Sequence, residues 1–444
     1  MTLLPQGKEA RQGIAVLFER PTPGSKRGSR MKKAYRRCCG IDVHKDMVEV
    51  CVLPAAGESG VTKRKRFKTF RSELIQMRKW LKLLKVTEIA MESTGVYWRP
   101  LWNVLQDEGF ERLLLANPAQ VKALHGRKSD RRDAQRIAEF LQDERLDGSF
   151  VPSAEMQRLR LLLRDRISLV EQRNEVHNHI RDLFETAGVK LSCLLSDLMG
   201  VTGRGIIEAL IAGETSPDKL SWKVRGSLRK KEKEVKESLK GCFDEFHRDV
   251  LKRFYRQYTF LTDEIVQFEK LIEERMAPHA EKVARLDGIP GVDRLVAWHL
   301  IAELGVDMTV FPNAGHCASW AGLVPGENES AGHSKSNRCR KGNRVLRRTL
   351  TQAAWAASRC KKGYLRAFFY RCKGRSGWAK AIVATAHKIL TIAFCMLRDG
   401  TPYQDLGDDY FDKLNPARTA TRLIKRLEAL GLTIQATMPP VPQP

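Results

Sequence analysis

Four acidic residues in the first third of the chain have types and spacing that could do chemistry. They are Asp42 in GIDVHKD, Glu92 in AMESTG, and Asp130 with Asp133 in RKSDRRDAQ. Asp42 and Glu92 close short apolar runs that read as buried strands. Asp130 and Asp133, three apart, share one face at the start of a helix that Ser129 can cap. Taken singly, the last two are ordinary acids of a helix start, where the macrodipole favours negative charge. The set of four, in this order, on a chain of net charge +26, points further. Carboxylates at strand ends of so basic a protein suit hard divalent cations held against phosphate oxygens. The chemistry they permit is two-metal phosphoryl transfer, with ions roughly 4 Å apart, as in cutting or moving nucleic-acid strands.

The elements that must position these residues can be read from hydrophobic period. Cys39–Val43 and Val48–Leu53 read as a hairpin around a turn at His44–Asp46, and Arg64–Phe70 as a third short strand. Ser72–Leu84 is predicted helical, with Leu74, Met77, Leu81 and Leu84 on one stripe. Glu88–Met91 is a strand that Glu92 ends, Val96–Gln106 a helix and Arg112–Ala116 a strand. Three antiparallel strands followed by alternating helix and parallel strand is the order of an RNase H-like (RuvC-like) α/β domain, here residues 35–150. In that order Asp42 and Glu92 would be neighbours across the sheet.

Composition agrees. The 444 residues are too many for one ordinary core, so two or three domains are expected, and 42% apolar content is enough to fill them. Lys plus Arg number 78 against 52 Asp plus Glu. The surplus is spread along the chain and attracts polyanions, with nucleic acid favoured over a ribosomal or acidic-lipid surface. None of the ten Cys lies in a C-x-x-C pair, so no zinc spacing appears. No apolar run reads as the ~18 residues of a membrane span. Reduced thiols, a cytoplasmic setting and no membrane partner are the expectation. Residues 1–34, with RPTPGSKRGSRMKK, read as a flexible basic arm.

The remainder reads as all-α. Residues 151–282 hold a helix over 155–190 with heptad-like Met156, Leu159, Leu163, Ile167 and Val170, and a second over Lys230–Met276. With a less regular, Gly-punctuated stretch at 200–228 between them, they suggest an antiparallel coiled coil serving as a dimerisation arm. Residues 283–400 open with a helix-hairpin-helix pattern, Gly288 and Gly291 flanking Pro290, whose turn amides could face a phosphate without reading bases. A polar Gly-rich loop then leads to a basic helix start carrying Lys341, Arg344, Arg347 and Arg348. The spacing of Tyr364, Phe368 and Tyr370 favours core packing over base stacking, and His387 among apolar neighbours reads as structural. Residues 401–444 form a tail with a helical stretch at Ala417–Leu430 and a Pro-rich end.

GIDVHKD, MESTGVYWRPL, ANPAQVKALHGRKSDRRDAQRIAEFL, GIPGVDRLVAWHLIAELG and WAGLVPGENESAGHSKSNRCRKGNRVLRRTL, in this order, resemble the DEDD-type insertion-sequence transposases. That family includes RNA-guided bridge recombinases and pilin-gene invertases. The resemblance implies that Asp42, Glu92, Asp130 and Asp133 are the acidic tetrad, binding Mg2+ or Mn2+. It implies that Ser330, in Glu-Ser-Ala-Gly, is a nucleophile forming a phosphoserine link to DNA. Nothing in composition or spacing singles Ser330 out. The resemblance further implies donor and target DNA, a non-coding guide RNA, a homo-oligomer (dimer or tetramer) and a composite site of metal domain and serine domain. No base-reading module stands out, which fits sequence choice delegated to a paired nucleic acid. Two other readings stay open: a junction-resolving nuclease using the tetrad alone, and a non-catalytic nucleic-acid scaffold.

Overall fold

The computed structural model describes residues 36–55, 58–92, 95–106, 108–116, 130–326, 329–330, 333–334 and 338–433. The arm at 1–34, the Ser129 cap and the Pro-rich end fall outside these residues. The chain divides into two compact units, Met1–Val151 and Pro152–Pro444.

The first unit is built on β1 (Cys38–Val43), β2 (Met47–Val52), β3 (Lys63–Lys68), β4 (Glu88–Glu92) and β5 (Arg112–Ala116), with α1 (Arg71–Leu83), α2 (Trp98–Leu105) and α3 (Asp130–Gln142). The sheet order is β3-β2-β1-β4-β5. The β1–β2 and β2–β3 pairs are antiparallel, and β1–β4 and β4–β5 parallel. This mixed sheet is compatible with the RNase H-like order read from the sequence. Composition explains the positions of the strands. CCGIDV in β1 is buried along its whole length and is central, whereas KRKRFK in β3 buries only Phe67. A basic edge strand of this kind resists pairing with other chains.

Alternation along the strands separates the two faces. Ile41, Val43, Ile89 and Met91 pack in the large core that also holds Leu74 and Met77 of α1 and Leu101 of α2. Cys38, Ala90, Leu114 and Ala116 face Ile137 and Leu141 of α3. Gly40, on this second face, is what lets α3 sit so close. A Cβ on Gly40 would lie 2.1 Å from Ala134 O and 2.4 Å from Ala138 N.

The second unit is largely helical. Its elements are α4 (Ala154–Thr186), α5 (Val201–Ile211), α6 (Pro217–Ser221), α7 (Glu232–Ser238), α8 (Glu245–Met276), α9 (Ala280–Asp287), α10 (Arg294–Leu304) and α11 (Ala314–Ala321). A two-stranded ribbon follows, β6 (Glu329–Ser330) and β7 (His333–Ser334). The chain ends in α12 (Arg344–Arg359), α13 (Tyr364–Ser376), α14 (Trp378–Asp399), α15 (Tyr410–Leu414) and α16 (Pro416–Glu428). The long helices α4 and α8 run antiparallel. Arg166 pairs with Glu269 while, farther along α4, His177 meets the Tyr258 ring at 6.5 Å.

Three expectations need correction. The second long helix does not run from Lys230. It breaks after α7 and restarts at α8, because Gly241 packs on the end of α4, where a Cβ would lie 2.4 Å from Ala187 O. Asp244 then caps α8, accepting from the His247 amide at 3.1 Å. The stretch at 200–228 is not irregular throughout. α5 buries Ile206, Ile207 and Leu210, and Gly203 permits an approach in which a Cβ would meet Leu198 O at 1.9 Å. Finally, α14 is long and apolar enough, by length and composition, to cross a membrane, yet half of its apolar stretch is buried in the protein. Its apolar residues, among them Ile382, Ile389, Leu390 and Phe394, are buried in the second unit, where it packs against α11, α12 and α13.

Candidate functional site

Register places the acidic residues of the first unit. β1 and β4 pair in parallel with Ile41 opposite Met91, so Asp42 and Glu92 are the next residues on two adjacent strands. Strand spacing puts their backbones roughly 5 Å apart. Asp42 shares its face with Gly40, two residues back, and Glu92 shares its face with Ala90, so both belong to the face that α3 covers. Helix α3 runs opposite to β1. Cys38 lies among Ile137 and Leu141, and Gly40 meets Ala134 and Ala138. A rise of ~3.3 Å per strand residue against ~1.5 Å per helix residue then brings Asp42 level with the first turn of α3, where Asp130 and Asp133 stand.

The carboxylates have protein partners. Asp42, 6% exposed, accepts a hydrogen bond at 3.1 Å from His44 Nε2. Asp133 Oδ1 lies 3.6 Å from Arg136 Nη1. Glu49, opposite Asp42 in the antiparallel register, is buried and bonded to Arg66. Asp42, Glu92 and Asp133 are hard oxygen donors and fit Mg2+ or Mn2+ by type. Among the described residues no three His, Cys, Asp or Glu side chains gather closely enough to hold an ion. The side chain of Asp130 is not among those described. His44 sits against Asp42 and Arg136 against Asp133, each suited to a carboxylate in its charged form.

His44, Glu49 and Gly40 were missed by sequence reasoning. Gly40 carried the clearest signal: a glycine inside a buried strand, two residues before an acid, marks a close backbone approach on the acid's own face. Cys38, on the same face, is chemically quiet, since burial and the neighbouring Glu88 push its thiol up to about 12.

In the second unit Ser330 lies on β6, in register opposite His333 on β7. The expected loop is therefore a β-ribbon. Below it, Pro325 bridges Cys339, Gly326 N donates to Arg338 O at 2.8 Å, and Arg340 N donates to Val324 O at 3.1 Å. The ribbon returns into α12 through Asn343, whose side chain accepts from the Leu346 amide at 3.1 Å and donates to Glu303 Oε2 at 2.6 Å. Glu303, 1% exposed, also holds Arg160 at 3.1 Å and Arg164 at 2.8 Å. A buried carboxylate so thoroughly paired fixes the start of α12 against α4 and α10, and removing one partner of such a cluster costs about 3–5 kcal/mol.

The first turn of α12 carries Arg344 and Arg347, with Lys341 just before it and Arg348 just after. Arg348 bonds Glu171. Among the described residues Lys341, Arg344 and Arg347 have no acidic partner. Cations at the positive end of a helix repel its dipole, so an anion there is doubly favoured.

Part of the helix-hairpin-helix turn is already bonded within the fold. The amides of Gly288, Ile289 and Val292 already donate to Arg285, Leu286 and Ile289, at 3.2, 3.0 and 2.9 Å. Asp293 caps α10 by accepting from the Val296 amide at 2.8 Å. Gly291 has φ +86°, and a Cβ there would lie 2.3 Å from Ala353 O and 2.6 Å from Ala357 N of α12. Its role in this fold is to seat α12. His387 of α14 is kept below its ordinary pKa by burial and by Lys388, in keeping with a structural imidazole.

Comparison with known proteins identifies relatives of both units. Residues 39–188 match a DEDD-type family described as transposase, and residues 283–370 match the transposase IS116/IS110/IS902 family. The chain is 26% identical over 412 residues to the transposase for insertion sequence element IS1111A of Coxiella burnetii, covering 89% of this chain and 98% of that protein. It is 35% identical over 122 residues to an IS110 insertion-element protein of Streptomyces coelicolor, covering 27% of this chain and 29% of that protein. It is 26% identical over 192 residues to the pilin gene-inverting protein of Moraxella bovis, covering 41% of this chain and 58% of that protein.

Proposed function

The chain belongs to the IS110/IS116 transposase family, and from that premise we propose that it cuts and rejoins DNA through a covalent serine intermediate, guided by a structured RNA. The observation that carries this reading is the register of the first unit. Asp42 and Glu92 stand side by side on parallel strands, and Gly40 seats the helix that brings Asp133 to the same end of the same face.

In this reading Asp42, Glu92, Asp130 and Asp133 hold Mg2+ or Mn2+, which when bound offsets charge on the phosphate oxygens. His44 orients the Asp42 carboxylate. Ser330 Oγ attacks phosphorus as its hydroxyl proton is lost to water, the bond from phosphorus to one deoxyribose oxygen breaks, and that oxygen takes a proton from water and leaves as a hydroxyl. The phosphoserine ester conserves the bond energy, so a hydroxyl of a second strand can attack it and release Ser330 without an external energy source. Arg344, Arg347 and Lys341 hold backbone phosphates. The antiparallel pair α4 and α8 serves as the coiled-coil arm of a dimer or tetramer. Such work on chromosomal DNA belongs to the cytoplasm.

Substrate DNA in Mg2+ tests this. Asp42→Asn should lower cleavage on the order of 100- to 1000-fold while leaving salt-sensitive DNA binding unchanged, since one charge barely alters a surface of +26. Cleavage that persists in EDTA would contradict the metal assignment. Protein purified with its flanking DNA expressed should carry one discrete RNA and recombine only with it. Sequence-specific recombination by RNA-free protein would remove the guide from the account.

A further inference from the structure

A cavity of about 620 Å³ opens between α12, α13 and the start of α14, inside the second unit. That is within the ~300–1,000 Å³ typical of small-molecule sites. Its wall departs from the core packing expected of this stretch. Tyr364 is buried, stacked on Phe368 and Phe411, but Tyr370 is 47% exposed and faces the cavity. Trp355 and Trp378, also on its wall, are 37% and 57% exposed. Their rings stand 5.4 Å apart at an angle of 43°. Gly377, at φ +80°, makes the turn that presents Trp378 at the head of α14. Large aromatic surfaces left in water side by side mark a binding site more often than a fold requirement.

The charges around these rings narrow the ligand. Arg359, Lys361, Arg366 and Lys373 line the same cavity, and among the described residues no acid does. Arg366 lies over the Tyr370 ring at 4.8 Å, Lys373 over it at 5.6 Å, and Arg359 over Trp355 at 5.7 Å. Among the described residues none of the four cations has an acidic partner. A purely apolar partner would leave these cations desolvated and unpaired, which is costly. Aromatic faces interleaved with unpaired cations are instead the makeup of single-stranded nucleic-acid grooves, where bases stack and phosphates are held nearby.

We propose that this cavity binds an unpaired nucleotide of a single-stranded nucleic acid, its base stacked on Trp355 and Trp378 and its phosphate held by Arg359, Arg366 and Lys373. The inference rests on the nucleic-acid reading above, and extends it to a site for strand that is not in duplex. RNA and DNA share the required chemistry. The test separates them.

Fluorescein-labelled dT12, U12 and a 12-bp duplex are titrated with full-length protein in EDTA, so that no strand chemistry intervenes. Trp355→Ala and Trp378→Ala should each weaken single-strand binding by about tenfold, the scale of one lost base stack. Trp378→Phe should restore most of it, and duplex binding should stay within about twofold. A larger loss on U12 than on dT12 identifies RNA as the natural occupant, and the reverse identifies DNA. In parallel, a 12-mer carrying 5-iodouracil is photo-crosslinked to the unaltered protein. The adduct should map to Trp355, Tyr370 or Trp378. A crosslink mapped outside residues 355–378 would overturn the proposal, whatever the variants do. So would unchanged single-strand affinity in a folded double variant, or an equal loss on duplex. Cleavage retained by Asp42→Asn would defeat the proposed function and leave this site standing, since the binding is read without metal.

Discussion

Helices α3 and α12 are seated by the same device and differ in the charges of their first turns. In each case a glycine of a neighbouring element presses against two helix positions four apart. Gly40 meets Ala134 and Ala138 of α3, and Gly291 meets Ala353 and Ala357 of α12. Both approaches bring backbone to backbone, closer than any side chain allows. The first turns then diverge. The first turn of α3 reads Asp130-Arg131-Arg132-Asp133, whose two acids accord with its dipole, and that of α12 carries Arg344 and Arg347 with no acid, against it. A rigid seat that carries acids suits a cation, and one that carries Arg344 and Arg347 suits phosphate. The comparison teaches that the packing fixes where each charge cluster stands, while the first-turn residues decide what it binds.

The largest effects should come from breaking the seats. Gly40→Ala forces a Cβ against Ala134 O and should destabilise the first unit by about 3 kcal/mol or more. It should cut metal-dependent cleavage at least ~100-fold through displacement of α3, with DNA binding largely kept. Gly291→Ala adds the strain of a positive φ to a similar clash. It should instead reduce DNA binding, with divalent-ion binding by the first unit intact. Thermal unfolding, Mn2+ titration and DNA titration on both variants distinguish the two outcomes. Equal loss of both functions in both variants would erase the contrast.

Acid should weaken the α12 side selectively. Burial pushes His299 of α10 down to about 4, although Glu303 beside it pulls the other way. The folded state therefore holds fewer protons than the unfolded chain between pH 6.5 and about 4, and stability must rise with pH across that window. The stability is present above pH 6.5 and is lost as pH falls, by about 3 kcal/mol at most. Urea unfolding of the second unit from pH 7 to pH 4 should show that slope, and His299→Gln should flatten it.

A smaller effect sharpens the charge half of the comparison. Arg344→Gln and Arg347→Gln should each weaken duplex binding by about tenfold or less and lower the salt slope by about 0.9. Arg348→Gln, whose guanidinium is already bonded to Glu171, should change the slope least. Affinity measured from 50 to 200 mM salt reads this directly.

Much of the first unit was legible in the sequence because its strands are short, buried and bounded by turn residues. The five strands stand within one or two residues of their expected places, with the largest offset at the end of β3, whose KRKRFK pattern carries little hydrophobic signal. The contact between Asp42 and His44 was not legible, since it depends on how the chain leaves β1. The break before α8 was missed because Gly241 interrupts an otherwise helical pattern for a tertiary reason, its contact with Ala187. The ribbon around Ser330 was read as a loop because two-residue strands have no period to detect. Glu303 looked like one more helix acid, and only the fold shows it gathering Arg160, Arg164 and Asn343.

The proposed division of labour between acids and a serine is tested most directly by trapping the intermediate. Protein is incubated with substrate DNA and Mg2+, quenched in denaturant, run on a denaturing gel and digested for peptide mapping. A protein–DNA adduct should appear, map to Ser330, and vanish both in Ser330→Ala and in Asp42→Asn. Cleavage with no adduct, or an adduct on any other residue, would contradict the account and favour a nuclease that uses water and the acidic residues alone.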